Sequence, residues 1–276
     1  MREPDLLTRE AVASLLSPGL FQAERYHYLV EVGSTNEDVV TRARAGAPEG
    51  TVVVAESQTR GRGRLGRSWV SPPGVNLCFS ILLRPRMNPG RTFQLTLLAG
   101  LALAETIREA GFADVAIKWP NDLLLRGRKL AGILTEMSAE MDQVHHVVVG
   151  VGLNVHATTA LFPPELQATA ISLADICAES GSLVASPVPL LRRHLLVGFL
   201  KRFETWYHQY QEEGFGVVRN AWLAMARIQE RRVKVNLIKE QFTGVAQDMD
   251  ADGFLLVRRD DNGTVSRVVA GDVALV

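Results

Sequence analysis

The sequence predicts an α+β domain followed by a small β-barrel-like module, and three observations carry that prediction. Up to residue 226, apolar β-branched runs such as Thr51-Val52-Val53-Val54 and Val147-Val148-Val149 alternate with stretches of helical periodicity. After Arg227 the character changes to short strands separated by Asp-, Asn- and Gly-rich turns, over about fifty residues. The whole chain of 276 residues has ample length for a core. The expected division is 1–228 and 229–276.

Taken in order, Thr8 to Leu16 reads as a short helix capped by Thr8 and stopped by Ser17-Pro18-Gly19. Tyr26 to Val32 is a strand. Ser34 and Glu37 have capping-box spacing for a helix through Ala45. Strands follow at Thr51 to Ala55 and Asn76 to Leu83, then a helix from Arg91 to Ala110 ended by Gly111. Two apolar runs flank the corner Pro120-Asn121-Asp122, where proline denies the ladder a donor. Arg126-Gly127-Arg128 is a hairpin turn, and Lys129 to Glu136 is the returning strand. Val144 to Val155 is a strand, Thr158 to Pro164 a loop, and Ala170 to Leu173 opens a helix to Glu179. Ser186-Pro187 starts a long amphipathic helix reaching Glu213, with Phe199, Phe203, Trp206, Tyr207 and Tyr210 on its core side. Another helix spans Phe215 to Ala226. The module's strands are read at Arg232 to Ile238, Gln241 to Met249, Gly253 to Arg259, Val265 to Val269 and Asp272 to Val276.

Composition narrows the function. Lys plus Arg equals Asp plus Glu at 30 each, whereas a general nucleic-acid binder usually carries a basic excess. Cys78 and Cys177 are far apart in apolar surroundings, which is neither a disulfide framework nor a metal-site spacing; they read as buried free thiols in a reducing compartment. His145-His146 reads as structural. The amino terminus is acidic and polar, and the longest apolar run, Leu95 to Ala104, is too short to span a bilayer. A cytoplasmic protein is expected.

The chemistry concentrates in Glu56 to Trp69, ESQTRGRGRLGRSW. Four arginines (Arg60, Arg62, Arg64, Arg67) interleave with Gly61, Gly63 and Gly66. Guanidinium forks match phosphate or carboxylate oxygens, and glycine lets a backbone approach a ligand. So many like charges repel one another unless an anion joins them, which predicts a mobile anion-binding loop. An Arg-Gly run in an RNA-binding segment is the competing reading. Farther on, Lys118, Asp122 and Lys129 fall near one sheet end, and Gly132 lets a ligand come close to the Lys129 strand. Ser34-Thr35-Asn36 offers small polar side chains at a helix amino terminus, suited to a polar ligand.

These residues carry a resemblance. Gly61 to Trp69 resembles the GRGRxGRxW loop of biotin protein ligases, Lys118-Trp119-Pro120-Asn121-Asp122 their KWPND motif, and Lys129 to Leu134 their KLAGIL strand. Gly33-Ser34-Thr35-Asn36 and Gly150-Val151-Gly152-Leu153-Asn154 match in the same order, so the likeness is strong from Val30 to Asn154. The resemblance implies a mixed-sheet, class II synthetase-like catalytic domain with an SH3-like C-terminal barrel. It also implies biotin and ATP with Mg²⁺ as reactants, and a biotin carboxyl carrier domain of a carboxylase as acceptor.

Carried over by motif, Ser34, Thr35, Asn36 and Gln58 are expected at the biotin ureido ring. Arg62, Gly63 and Arg64 are expected at the biotin carboxylate and the phosphate, with Gly132 lining the biotin pocket. Arg64, Arg67, Trp69, Asn121 and Asn154 are expected at the nucleotide. Arg62, Lys129 and Asp122 form the expected catalytic set, Lys129 holding the carboxyl and phosphoryl oxygens and Asp122 orienting or deprotonating the acceptor lysine. No residue is assigned as a protein ligand to the metal, which is expected to travel with the ATP phosphates.

Some positions depart from the family pattern. Leu65 and Ser68 stand where relatives are often basic, and Cys78 stands where an aromatic is common. About thirty residues precede Gly33, too few for the DNA-binding domain that some relatives carry, so no DNA binding is expected. A homodimer along a sheet edge stays open. Two alternatives also remain: a lipoate or octanoate ligase of the same fold, and a nucleic-acid-binding module.

Overall fold

Alternation along the central strands decides where each helix packs. In the computed structural model, which describes residues 5–179, 191–226, 228–237 and 239–276, the first sheet has seven strands. Helix α1 (Arg9–Ala13) and strand β1 (Tyr26–Val32) precede α2 (Thr35–Arg44), β2 (Val52–Gln58) and β3 (Leu77–Leu83). Helix α3 (Phe93–Glu109), β4 (Ala116–Lys118), β5 (Asp122–Leu125), β6 (Arg128–Glu140) and β7 (Gln143–Leu153) follow. The spatial order is β1-β2-β3-β7-β6-β5-β4, with β1 and β2 parallel and the other pairs antiparallel.

One face of this sheet buries Val52, Val54, Phe79, Ile81, Val147 and Val149 against the long helices. The opposite face buries Val53, Leu82 and Val148 beneath Val39 and Ala43 of α2. Farther along that second face β3 and β7 turn small, with Cys78, Ser80, Gly150 and Gly152 in register. An apolar floor thus gives way to a floor of small residues beyond the start of α2, and a cavity opens there.

The chain continues through α4 (Pro164–Gln167), α5 (Leu173–Glu179), α6 (Arg192–Glu213) and α7 (Phe215–Ala226). A short 3₁₀ turn at Thr159–Leu161 lies within the expected loop Thr158 to Pro164, and α4 begins at its last residue. Ser172 and Asp175 cap α5 reciprocally, each side chain accepting the other's backbone N–H at 3.0 Å. The expected helix start at Ser186-Pro187 lies outside the described residues. As expected, Phe199, Phe203 and Tyr207 are buried in the core, and Trp206 and Tyr210 pack against it. Among the described residues, no helix is long and apolar enough to cross a membrane.

The C-terminal module is a separate five-stranded antiparallel sheet: β8 (Arg231–Asn236), β9 (Gln241–Met249), β10 (Leu255–Arg259), β11 (Val265–Val268) and β12 (Asp272–Leu275), in the order β11-β10-β9-β8-β12. Its β9–β10 turn docks onto the larger sheet. Gly253 accepts a hydrogen bond from the buried Trp119 indole at 3.1 Å, and Phe254 stacks on Phe93 at 5.2 Å between centroids.

Candidate active site

The arginine–glycine stretch folds back on itself. Trp69 donates its backbone N–H to Gly61 and Gly63 donates to Arg67, making a short hairpin between β2 and β3. At its tip Leu65 and Gly66 both have positive φ, 56° and 73°, a conformation that Gly66 adopts freely and Leu65 does not. The hairpin lays the Trp69 indole on the sheet floor. A side chain at Gly152 would collide with the ring, and one at Gly132 would come within 3.2 Å of it. The floor glycines therefore hold the loop's own tryptophan close to the backbone.

Three of the four loop arginines, Arg60, Arg62 and Arg67, are already joined to anions, and these belong to the protein. Arg60 and Arg62 reach Glu37 of α2 at 3.2 and 3.8 Å, and Arg62 donates to Glu136 of β6 at 2.6 Å. Arg67 pairs with Asp272 of β12 at 2.7 Å. Arg64 bonds Asn121 Oδ1 at 2.7 Å and the Gly271 carbonyl at 3.3 Å, and burial lowers its pKa from the ordinary value. The expectation that an external anion must relieve the loop's repulsion is thereby corrected: three side-chain carboxylates supply the counter-charge.

Glu37 is diverted to those arginines, so the expected capping box does not form. Ser34 makes no side-chain cap of α2. The Thr35 backbone N–H and hydroxyl both bond Gln58 Oε1, at 2.9 and 3.1 Å. Asn36 donates to Glu136 at 2.7 Å and to the Leu134 carbonyl, and accepts from Ser80 at 2.6 Å. A polar chain thus runs from Gln58 through Thr35, Ser80, Asn36 and Glu136 to Arg62, with Gln58, Ser80 and Glu136 fixed on strands.

On the far side, Lys118 and Asp122 are register partners across β4 and β5. Lys129 Nζ lies 2.7 Å from Asp122 Oδ1 and 5.8 Å from the centroid of the Trp69 ring. The carboxylate contact is a close charge pair lacking hydrogen-bond alignment. The Lys129 backbone is pinned instead: its N–H donates to Thr169 and its carbonyl accepts from Ile171. Asn121, set at the Pro120 corner, donates to the Ile133 carbonyl at 3.0 Å. Asn154 is buried and committed, donating to the Ile171 carbonyl and accepting from Asn76. Cys78 lies below the loop, its thiol 2.7 Å from the Ser71 hydroxyl; burial pushes its pKa up despite its polar neighbours, Ser71 first. Cys177 is only half-buried, against the expectation of two buried thiols.

All fourteen residues given site roles by motif line one cavity of about 610 Å³, whereas Arg60 does not. A larger groove, about 1110 Å³, lies between the helices and the C-terminal module and contains none of them. Sequence reasoning missed Glu37, Glu136 and Asp272. Glu136 had a signal, since it stands an even number of residues from Gly132 on one strand and so shares its face.

Residues 32–154 match the family model described as the biotin/lipoate A/B protein ligase family, and residues 230–276 that of the biotin protein ligase C-terminal domain. The chain belongs to the biotin protein ligase family. It is 36% identical over 250 residues to the bifunctional ligase/repressor BirA of Bacillus subtilis, which covers 91% of this chain and 73% of that relative. It is also 36% identical over 251 residues to the biotin–[acetyl-CoA-carboxylase] ligase of Mycobacterium tuberculosis, covering 89% and 86% of the two chains. Among solved structures, a biotin protein ligase from Aquifex aeolicus in complex with biotin and ATP matches with a TM-score of 0.73 at 29% identity, over 91% of this chain and 98% of that one. The two-sheet architecture is therefore that of biotin protein ligases.

Proposed function

We infer that this cavity joins biotin to ATP and passes the acyl group to a lysine on the carrier domain of a biotin-dependent carboxylase. The protein is an ATP-dependent biotin ligase. The observation that carries the reading is the convergence of all fourteen residues on one cavity, with cations on two sides and a polar chain at one end. In the first step a biotin carboxylate oxygen attacks the α-phosphorus of ATP, the bond to the β-phosphate oxygen breaks, and pyrophosphate leaves. In the second step the acceptor amine attacks the acyl carbon. The carbon–oxygen bond to the phosphate breaks, AMP leaves, and the amine loses a proton.

The difficulty of the first step is repulsion between a carboxylate and a polyphosphate. Fixed cations in a site that excludes water lower that barrier, and removing one such donor commonly costs about 10²–10³ in rate. Lys129 suits that role because its backbone is pinned while its ammonium sits between the Asp122 carboxylate and the Trp69 ring at the cavity wall. Arg62 and Arg64 exchange protein partners for the carboxylate and α-phosphate, and Arg67 serves the outer phosphates. Thr35, Asn36 and Gln58, with Ser34, bracket the ureido ring, Gly63 lets the ligand lie close to the backbone, and Gly132 lines the pocket beneath Trp69. Trp69, Asn121 and Asn154 form the nucleotide side. Asp122 holds Lys129 and takes the acceptor lysine's proton once Lys129 turns to the phosphoryl oxygen.

Among the described residues, no three His, Cys, Asp or Glu side chains converge as a metal cage. Mg²⁺ would be carried mainly by the ATP phosphates and water, where it would neutralise the departing pyrophosphate. We place the module boundary at residues 228/229, supported by the C-terminal family match from residue 230 and by β8 starting at Arg231. The free thiols support a reducing compartment, the cytoplasm.

The test is pyrophosphate release on mixing the protein with biotin and MgATP, followed by transfer of biotin to a carrier-domain lysine. Release should require both substrates, and lipoate should not replace biotin. Absence of release, or equal release with lipoate, overturns the reading.

A further inference from the structure

Two of the loop arginines are taken by the C-terminal module. Arg67 donates to Asp272 at 2.7 Å, and Arg64 donates to the Gly271 carbonyl at 3.3 Å. The partners lie 205 and 207 residues away in sequence, at the start of β12, where the β8–β12 ladder fixes the Asp272 backbone opposite Asn236. Asp272 also lines the cavity.

As a fastening between modules the Arg67–Asp272 pair is weak. Its side chains are 54% and 34% exposed, and pairs this open contribute little to stability. The modules are joined more firmly by the buried Trp119–Gly253 bond and the Phe93–Phe254 stack. What the pair does achieve is local: it sets a carboxylate on a guanidinium in the cavity wall, on the side where the outer phosphates of a nucleotide would arrive.

We propose that Asp272 is a positioning residue that occupies Arg67 as a stand-in anion and yields it to the polyphosphate of ATP. The proposal rests on the reading of this cavity as an ATP site. Exchanging a carboxylate for phosphate oxygens keeps the loop's charge balanced in both states, so its arginines never face one another uncompensated. The exchange favours the nucleotide, because a polyphosphate brings several charges to a fork that fits phosphate bidentately. The displaced carboxylate is already partly in water, so little is lost by freeing it. Occupancy by Asp272 also reduces the fraction of protein with Arg67 available, which weakens apparent ATP affinity in proportion.

The experiment is steady-state pyrophosphate release by the full chain, varying ATP and biotin separately. Asp272→Asn, close in shape but uncharged, should lower KM for ATP roughly three- to sixfold and leave KM for biotin unmoved. In an Arg67→Ala background, itself showing a raised KM for ATP, the same change should produce no shift. An unchanged or raised KM for ATP in Asp272→Asn overturns the proposal, as does an equal fall in the Arg67→Ala background. A purely structural role for Asp272 would move both Michaelis constants or the thermal midpoint, not the ATP constant alone. If the unsubstituted protein releases no pyrophosphate with biotin and ATP, the functional reading itself fails and the proposal falls with it; activity with an unmoved constant sinks the proposal only.

Discussion

Arg192 and the loop arginines face the same problem, a guanidinium among carboxylates, and solve it in opposite ways. Arg192 is buried and saturated. It bonds the backbone carbonyls of Asp5 and Asn76 and the carboxylates of Asp5 and Glu56, the latter at 2.5 Å, and its backbone N–H also goes to Asp5. Arg62 and Arg67 are 39% and 54% exposed, and each rests on one or two carboxylates. A buried charge that loses its partner leaves a large uncompensated penalty, whereas a half-exposed one is rehydrated at little cost. Saturation makes Arg192 architecture, and incompleteness leaves the loop arginines able to change partners.

The comparison can be broken by substitution. Truncating Arg192 to Ala should destabilise the fold by about 3–5 kcal/mol in denaturant titration, because Asp5 and Glu56 are left facing each other. Lys129→Ala should do the reverse, losing about 10²–10³ in the rate of pyrophosphate release while the unfolding midpoint stays near that of the parent. Equal effects of the two changes on stability would erase the distinction. Between these, Glu136→Gln should weaken biotin affinity by roughly 1 kcal/mol in calorimetry, since the polar chain loses the charged link between Asn36 and Arg62.

The smallest effect is one of pH. Burial raises the Asp5 carboxyl pKa, but bonds from His156 and Arg192 outweigh it and hold the group below its ordinary 3.8. A carboxyl whose folded value is depressed stabilises the native state above the unfolded value, and that contribution fades as pH falls through the folded one. The melting-temperature gap between the parent and Asp5→Asn should therefore be constant near neutrality and narrow only below about pH 4. A gap that widened in acid would contradict the arrangement.

Much of the site was legible because its signals are local. The arginine–glycine loop, the Pro120-Asn121-Asp122 corner and the Lys129 strand each declare their chemistry within a few residues, and the hydrophobic period placed them on strands that meet. What escaped was set by distance along the chain. Glu136 meets Arg62 across 74 residues and Asp272 meets Arg67 across 205; strand alternation puts Glu136 on the Gly132 face without naming its partner, and nothing near Asp272 announces Arg67. The Ser34–Glu37 spacing was sound as local chemistry. Tertiary partners displace it, the loop arginines taking the Glu37 carboxylate. The turn at Asp250 to Gly253 read as a simple reversal, while in the fold it docks on Trp119 and Phe93.

The indole of Trp69 occupies the space that side chains at Gly132 and Gly152 would fill. Those glycines are cross-strand partners, so the ring fits a notch two strands wide. A change in the codon for Gly152 therefore cannot be judged alone: it displaces Trp69 unless residue 69 has already become smaller. In lineages that drift, the two positions are expected to be inherited as a pair, the larger residue on the loop always facing the smaller one on the sheet.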